Sequence, residues 1–147
     1  MAYSLDADLI KVRSNVLSLG VDSWIDQQTE AELIINRTLE NKWYKVVAGD
    51  FGYDYRETPF NAALLLNADT QLVRLSCYKT LELAYLFLQK DTVEPDGFER
   101  QRSLFSALYM EELEHVLGLG IDYDWDGSGT IEYDEKKIRT RRTLVKG

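Results

Sequence analysis

Residues 124–135 read DWDGSGTIEYDE, and their types and spacing match the oxygen-rich loop that binds Ca²⁺ in EF-hands. Such a loop takes ligands from positions 1, 3, 5, 7, 9 and 12, and a glycine at position 6 permits its sharp turn. Gly129 stands at position 6 and Ile131 at the apolar position 8. The pattern therefore predicts a Ca²⁺ site whose ligands are Asp124, Asp126, Ser128, Thr130 through its carbonyl, Glu132 and Glu135.

The sequence around this loop limits what the metal can do. In a regular EF-hand a helix runs directly into position 1, but LGLGIDY interrupts the approach to Asp124, and the chain contains no second loop. A calcium sensor also needs a groove to expose, usually rich in methionine, and the chain has two methionines. We expect a structural calcium clamp that fixes the direction of the following tail. The alternatives are a calcium-dependent regulatory binding protein, and a metal-free pair of turns with Glu132 and Glu135 capping a short helix.

The tail after the loop is strongly basic. Residues 136–147 hold six basic residues and no acid, and these are Lys136, Lys137, Arg139, Arg141, Arg142 and Lys146. The other 11 of the 17 basic residues and all 25 acidic residues lie in residues 1–135. That part of the chain therefore has a net charge of −14, and the tail has a net charge of +6. An acidic body repels phosphates, which argues against general nucleic-acid binding. The division predicts a tail that docks on an acidic protein surface, for which a solvated, disordered C-terminus is the alternative.

Other combinations of reactive residues in the chain are incomplete. Glu112 and His115 have the Glu-x-x-His spacing of di-iron bundles, but such a site needs two of these motifs and the chain has one histidine. We expect this pair to lie on a solvated helix face. Cys77 falls on an apolar helix and is expected to be a core thiol. With no nucleophile elbow, phosphate-binding loop or dinucleotide fingerprint, the sequence favours a protein that is not an enzyme.

Three aromatic residues alternate with small and acidic ones in the segment 48–60. Phe51, Tyr53 and Tyr55 are candidates for a protein interface, where such side chains are enriched. Alternatively, they fold back over the end of the helices. The two interpretations have equal support from the sequence.

Size and composition predict a single soluble domain made in a cytoplasm. The chain has 147 residues, enough to bury a core, with 45% hydrophobic and 29% charged residues. Its N-terminus lacks the pattern of a signal peptide, and no apolar run is long enough to cross a bilayer. The single cysteine excludes an internal disulfide and fits a reducing compartment.

Periodicity predicts an all-α fold, a four-helix bundle over residues 1–120, followed by the loop-like segment and basic arm at 121–147. Ser4 is expected to cap a first helix of about residues 5–19, and Asp22 or Ser23 a second one that ends near Val46. Asn67 is expected to cap a third, central helix of about residues 68–89, and Pro95 to begin a fourth that ends near Leu119. The second helix has an apolar stripe of Trp24, Ala31, Ile35, Leu39, Trp43 and Val46. On the fourth, Phe98, Phe105, Tyr109, Leu113 and Val116 are expected to face inward.

Glycines are expected to end the first and fourth helices. The segments VLSLGVDSWID and VLGLGIDYDWD, at 16–26 and 116–126, share an apolar run, a glycine, a β-branched residue and an aspartate. This is the chemistry of a helix C-terminus, in which glycine adopts the left-handed conformation. Because the flanking sequences differ, the similarity reflects helix capping. It predicts that the fourth helix stops at Gly120.

Three stretches taken together resemble the head–tail connector proteins, also called adaptor or head-completion proteins, of tailed bacteriophages. They are MAYSLDADLIKVRSNVLSLGVDSWIDQQTEAELIINRTLENKWY, LNADTQLVRLSCYKTLELAYLFLQKD and EELEHVLGLGIDYDWDGSGTIEYDE, which together cover most of the chain. The resemblance lies in the order and length of these stretches and in their local amino-acid sequence. It implies a small helical bundle with an extended C-terminal arm and no catalytic site.

The resemblance further implies a ring subunit in the neck of a virion. Members sit beneath the portal, typically as twelve copies, continue the DNA channel and receive the next neck or tail component. Their arm reaches onto the portal or a neighbouring subunit. The basic tail of this chain would then bind acidic protein surface, while its acidic body lines a channel to which passing DNA does not adhere.

Overall fold

The computed structural model describes residues 3–19, 21–88 and 97–125. This part of the chain is helical, with one isolated antiparallel β-bridge and no strand, which confirms the predicted all-α class. The α-helices are α1 (Asp6–Val12), α2 (Ile25–Leu39), α3 (Lys45–Val47), α4 (Ala68–Gln71), α5 (Val73–Leu88) and α6 (Gly97–Leu119). Short 3₁₀ turns at Val16–Ser18, Ala48–Phe51 and Ala62–Leu64 and a π-helical turn at Glu40–Tyr44 complete the elements.

The first helix is shorter than predicted. α1 ends at Val12, Arg13 is extended, and the chain resumes as a 3₁₀ turn at Val16–Ser18 instead of continuing to residue 19. Ser14 and Asn15 follow the break, and side chains of these types compete with helical backbone bonds. The break also places the Val16 carbonyl where it accepts a hydrogen bond of 2.9 Å from the Trp24 indole. The buried indole is thereby satisfied.

The residues expected to cap the first two helices do not do so. Ser4 is buried, and its hydroxyl lies 2.8 Å from that of Ser76 on α5, while Asp8 accepts from the Leu5 N–H at the start of α1. Neither Asp22 nor Ser23 caps α2. Its N-terminus is capped by Asp6 of α1, whose carboxylate accepts from the Trp24 N–H at 3.1 Å.

Asp6 makes this cap a contact between helices. The oxygen that accepts from Trp24 also accepts from the buried Gln28 side chain at 3.4 Å, and the other oxygen accepts from the Ser23 hydroxyl at 2.6 Å. A carboxylate at the positive end of a helix is favoured electrostatically as well as by the bonds it accepts. The cap therefore fixes the position of α1 against the start of α2.

A π-helical turn shifts the register of the second helical segment. The predicted stripe holds through Ala31, Ile35, Leu39 and Trp43, but Val46 is 41% exposed and Val47 is 1% exposed. The turn at Glu40–Tyr44 inserts one residue into the helix, so the inward face moves on by one position. Tyr44 and Trp43, although adjacent, are both buried as a result.

The third predicted helix is divided at Leu72. α4 ends at Gln71, and α5 begins at Val73. Asn67 does occupy the N-cap position of α4, although its side chain makes no capping bond there. The inner face of α5 is fully buried, as expected of a central helix, but Phe87 near its end is 64% exposed.

The last helix agrees with the sequence prediction in where it ends and in which side chains face inward. α6 ends at Leu119, and Gly120 follows with a φ of 91°. Phe105, Tyr109, Leu113 and Val116 are buried, and Phe98 packs half-buried against Tyr85. Pro95 lies outside the described residues.

The helices enclose two adjoining groups of buried side chains. One lies around α1 and the first half of α6 and includes Leu9, Val16, Trp24, Leu81, Tyr85 and Phe105. The other lies at the end of α2 and of α6 and includes Leu39, Trp43, Leu72, Leu75, Leu113 and Val116. Among the helices of the described ranges, none is both long and apolar enough to cross a membrane.

We expect Asp6→Ala to lower the free energy of unfolding by about 1–2 kcal/mol, as loss of an N-cap does. The reason is that the Trp24 N–H and the Ser23 hydroxyl lose their acceptor. Urea unfolding monitored by circular dichroism measures the change. The matched control is Asp22→Ala, which removes an exposed acid beside the same helix end. An equal loss of stability in both variants would contradict the capping role of Asp6.

Candidate functional site

The segment that leads out of α6 is extended and is bound to the chain between the third 3₁₀ turn and α4. Leu65 and Tyr123 form an antiparallel β-bridge. The Leu66 N–H donates to the Asp122 carbonyl at 3.0 Å, and the Asp124 N–H donates to the Leu64 carbonyl at 2.9 Å. These bonds set the direction in which the backbone leaves the helical body.

Two side chains from the start of the third helical region strengthen this attachment. The Gln71 amide donates to the Gly120 carbonyl at 2.8 Å and accepts from the Asp122 N–H at 3.0 Å. The Asn67 amide donates to the Asp122 carboxylate at 2.7 Å. Asp122 is 8% exposed, so a charge-assisted bond of this kind compensates part of the cost of burying its carboxylate.

Seven aromatic residues pack together at the end of the extended segment, and we call them the aromatic cluster. Trp125 is at its centre and is 7% exposed. Its ring stacks on Phe51 at 4.2 Å between centroids and on Tyr44 at 5.4 Å. The cluster comprises Trp43, Tyr44, Phe51, Tyr53, Phe60, Tyr123 and Trp125.

Hydrogen bonds hold the phenols of the cluster in place. The Tyr53 hydroxyl donates to the Trp125 carbonyl at 2.6 Å, the Tyr44 hydroxyl donates to the Thr58 carbonyl, and the Tyr123 hydroxyl accepts from the Asn61 N–H at 3.1 Å. Burial raises the pKa of both Tyr44 and Tyr123. These two phenols therefore stay protonated at neutral pH, and the cluster serves as an apolar anchor.

The three aromatic residues predicted to bind a partner pack on their own chain. Phe51 and Tyr53 stack on Trp125, and Tyr55 lies half-buried beside Lys45 and Arg56, whose cationic groups are 5.6 and 5.3 Å from its ring centre. This arrangement corresponds to the folding-back interpretation. Binding of a partner through the faces that remain accessible stays a prediction.

Of the predicted calcium ligands, the structure describes the first. Asp124 is 6% exposed, and its backbone is held by Leu64. α6 ends five residues earlier, so the interruption before position 1 expected from LGLGIDY is present. The other ligands, Asp126, Ser128, Thr130, Glu132 and Glu135, lie outside the described residues, as do the basic residues from Lys136 to Lys146. Within the described ranges, no group of three or more His, Cys, Asp or Glu side chains is placed to hold a metal ion.

The remaining candidates occupy ordinary positions in the fold. Glu112 and His115 border a groove of about 430 Å³ between α5 and α6, together with Arg74 and Tyr78, and His115 is exposed as expected. Cys77 is buried, and burial raises the pKa of its thiol to about 11. A thiol with this pKa stays protonated at neutral pH, which agrees with a core role.

We call residues 120–125, which lead out of α6, the exit segment. The residues that hold it in place were not apparent as such from the sequence. Asn67 has the pattern of a helix cap and Gln71 that of a solvated helix residue, yet both hold the segment after Gly120. One sequence signal does point to the anchor. Tyr123 and Trp125 alternate with aspartates, which is the period of an extended chain with one apolar face.

Comparisons of the chain with models of protein families, with curated proteins and with solved structures gave no match.

We expect Trp125→Ala to lower the free energy of unfolding by about 3–5 kcal/mol, the range for removing a buried tryptophan. The Phe51 and Tyr44 rings lose their stacking partner, and the exit segment loses its anchor. Trp125→Phe keeps an aromatic ring and should cost clearly less. Chemical denaturation of the three proteins checks the order. A loss below about 0.5 kcal/mol in the alanine variant, the size of an ordinary surface substitution, would exclude an anchoring role.

We expect calcium to raise the melting temperature and to change tryptophan fluorescence without increasing the binding of a hydrophobic dye. Trp125 occupies position 2 of the loop and lies within the aromatic cluster, so a metal bound at Asp124 alters its surroundings. Glu135→Gln, which removes the bidentate ligand at position 12, is the control and should abolish both effects. Dye binding that increases with calcium would favour the regulatory alternative over the structural clamp.

Proposed function

We propose that this chain is a structural, non-enzymatic virion protein, a ring-forming head–tail connector between the portal and the tail components of a tailed bacteriophage. Its body would be a four-helix bundle with an EF-hand-like loop. Several copies, twelve by the resemblance, would form a ring in the neck, and the ring would continue the DNA channel. The protein would be made in the host cytoplasm and incorporated into the neck of the virion.

The observation that carries the proposal is the division of charge between body and arm. Residues 1–135 carry −14 and residues 136–147 carry +6, so the arm is attracted to acidic surfaces and the body is not attracted to phosphate. A subunit that grips another protein and faces DNA without binding it needs this combination. The attraction also steers the association of subunits.

The manner in which the chain leaves the body supports the same function. Trp125 and the bonds from Gln71 and Leu64 fix the start of the exit segment against the helices. A binding arm that starts from a fixed point loses less conformational entropy on docking than one that starts from a mobile end. The loop at 124–135 then acts as a calcium clamp between the anchor and the arm.

We expect deletion of residues 136–147 to abolish docking on the cognate portal protein while leaving the helical body folded. The deletion removes six positive charges and none of the contacts described above. Mass photometry and negative-stain electron microscopy of the chain with and without portal measure assembly, and circular dichroism checks the fold.

A control of full length separates charge from length. In it the six basic residues of 136–147 are replaced by glutamine, and this chain should also fail to dock. Normal docking of the truncated chain would show that the arm is not the contact. A full-length chain that stays monomeric under every condition, with portal present, would overturn the proposed function itself.

A further inference from the structure

A cleft of about 430 Å³ lies between α2 and the chain that runs from the 3₁₀ turn at Ala62–Leu64 into α4. One of its walls also holds the exit segment. Leu65, which lines the cleft, forms the antiparallel bridge with Tyr123, and its two neighbours in sequence bond to the backbone of Asp122 and Asp124. The cleft therefore lies directly beside the point at which the chain leaves the helical body.

The bridge also sets the direction of the exit. In an antiparallel pair the two chains run past each other in opposite senses. As the exit segment advances from Asp122 to Asp124, its backbone partners change from Leu66 to Leu64. It thus runs towards Ala62 and the rest of the cleft lining, and the residues that follow it start close to the cleft.

The lining of the cleft is partly apolar and partly negative. Alanines at 62, 63 and 68 allow a close approach to the main chain, because their side chains are single methyl groups. Glu32 of α2 and Asp69 of α4 supply the negative charge. Tyr3 adds none, since burial and the neighbouring Glu32 raise its pKa to about 12. Such a surface favours a peptide that carries both cations and apolar side chains.

Of the two segments that follow the exit, one has this chemistry. Residues 126–135, DGSGTIEYDE, contain four acids and no base, so the acids of the cleft repel them. Residues 136–147, KKIRTRRTLVKG, contain six cations interspersed with Ile138, Leu144 and Val145. In an extended peptide of this type, apolar side chains can contact the alanines while cations lie near the two acids.

We propose that the basic arm, residues 136–147, docks in the cleft of its own chain before assembly and is released when it binds the portal. The release step rests on the proposed function, to which the inference adds an autoinhibited state of the free subunit. The connection is the ten residues 126–135, which can span up to about 35 Å when extended. That length is ample to return the arm to a cleft beside its origin.

Tethering favours the chain's own arm over the arm of another copy. A short linker holds its ligand at an effective concentration of about 1 mM. Among free chains at about 1 µM, the arm of the same chain is therefore favoured about a thousandfold. Exposed ion pairs are individually weak. At this effective concentration, however, a contact with an intrinsic Kd of about 0.1 mM is closed in roughly 90% of the chains.

A closed arm has a consequence for assembly. While the arm is docked, its cations are occupied and do not attract other acidic proteins or a second subunit. The apparent affinity for the portal is reduced in proportion to the fraction of chains that are open. The portal must therefore bind the arm more tightly than the cleft does, which restricts docking to the correct partner.

Paramagnetic NMR of the full-length chain locates the arm. Lys146→Cys carries a nitroxide label, and Cys77 escapes labelling because it is buried and the pKa of its thiol is about 11. In dilute ¹⁵N-labelled protein we expect the label to broaden the amide signals of Ala62, Ala63 and Asp69. In a mixture of ¹⁵N chains without nitroxide and nitroxide chains without ¹⁵N, these signals should stay sharp. Broadening elsewhere on the body, broadening in the mixture, or sharp signals in both samples would each refute docking within the chain.

Charge variants of the nitroxide-labelled protein give an independent measurement. Glu32→Gln with Asp69→Asn should greatly reduce the broadening at Ala62 and Ala63. Glu30→Gln with Glu114→Gln makes the same change in net charge at two exposed positions outside the lining and should leave the broadening intact. Equal broadening in the two double variants would contradict the role of the cleft acids. Replacing the arm cations by glutamine should also abolish the broadening, and this variant leaves the body unaltered should the cleft variant fail to fold.

Portal binding tests the release step. Without the nitroxide, the cleft double variant should bind immobilised portal about tenfold more tightly than its control, because a chain that is roughly 90% closed regains its full affinity. Biolayer interferometry measures both. Equal or weaker binding of the cleft variant would overturn autoinhibition. Normal portal binding without broadening at the cleft leaves the proposed function standing and overturns this inference. Broadening at the cleft in a protein that binds no portal overturns the proposed function and the release step with it.

Discussion

The described structure depends most on the burial of Trp125 among the aromatic rings at the end of α2. This single side chain joins the segment after α6 to two parts of the chain that are distant from it in sequence, namely the π-helical turn and the loop around Phe51. Burial of a large aromatic side chain is among the largest single contributions to the stability of a small domain. The hydrogen bonds of Gln71 and Asn67 add direction to that apolar contact, because they fix the backbone on which the ring is carried.

The π-helical turn is what makes this burial possible. In a regular helix Trp43 and Tyr44 point about 100° apart, and one of them faces away from the core. The inserted residue widens the turn, and both rings come to line the site occupied by Trp125. A π-turn is unfavourable on its own terms and persists where packing compensates for it. Here the compensation is the stack of Tyr44 on Trp125 and the T-shaped contact of Trp43 with Tyr123.

Several features that local periodicity determines were predicted correctly from the sequence, whereas features that depend on contacts between distant segments were missed. The helical class, the inward face of α6 and the stop at Gly120 were correct, because each is determined within a few residues. The capping of α2 by Asp6 was missed, since Asp22 and Ser23 are the nearer candidates and only the packing of α1 brings Asp6 to the helix end. Val46 was assigned to the core wrongly, because periodicity does not register an inserted residue.

For the candidate site the same distinction applies. Alternation of Tyr123 and Trp125 with aspartates is visible in the sequence, but the partners of these rings are about 60 to 80 residues away and follow no spacing rule. The calcium-loop pattern, by contrast, is complete in the sequence, but the structure describes only its first two residues, Asp124 and Trp125. Under the proposed function, a force on the docked arm would reach the helices through the backbone fixed at Asp124 and the ring of Trp125 buried in the aromatic cluster. The stability of the cluster would then limit the load that the arm can transmit.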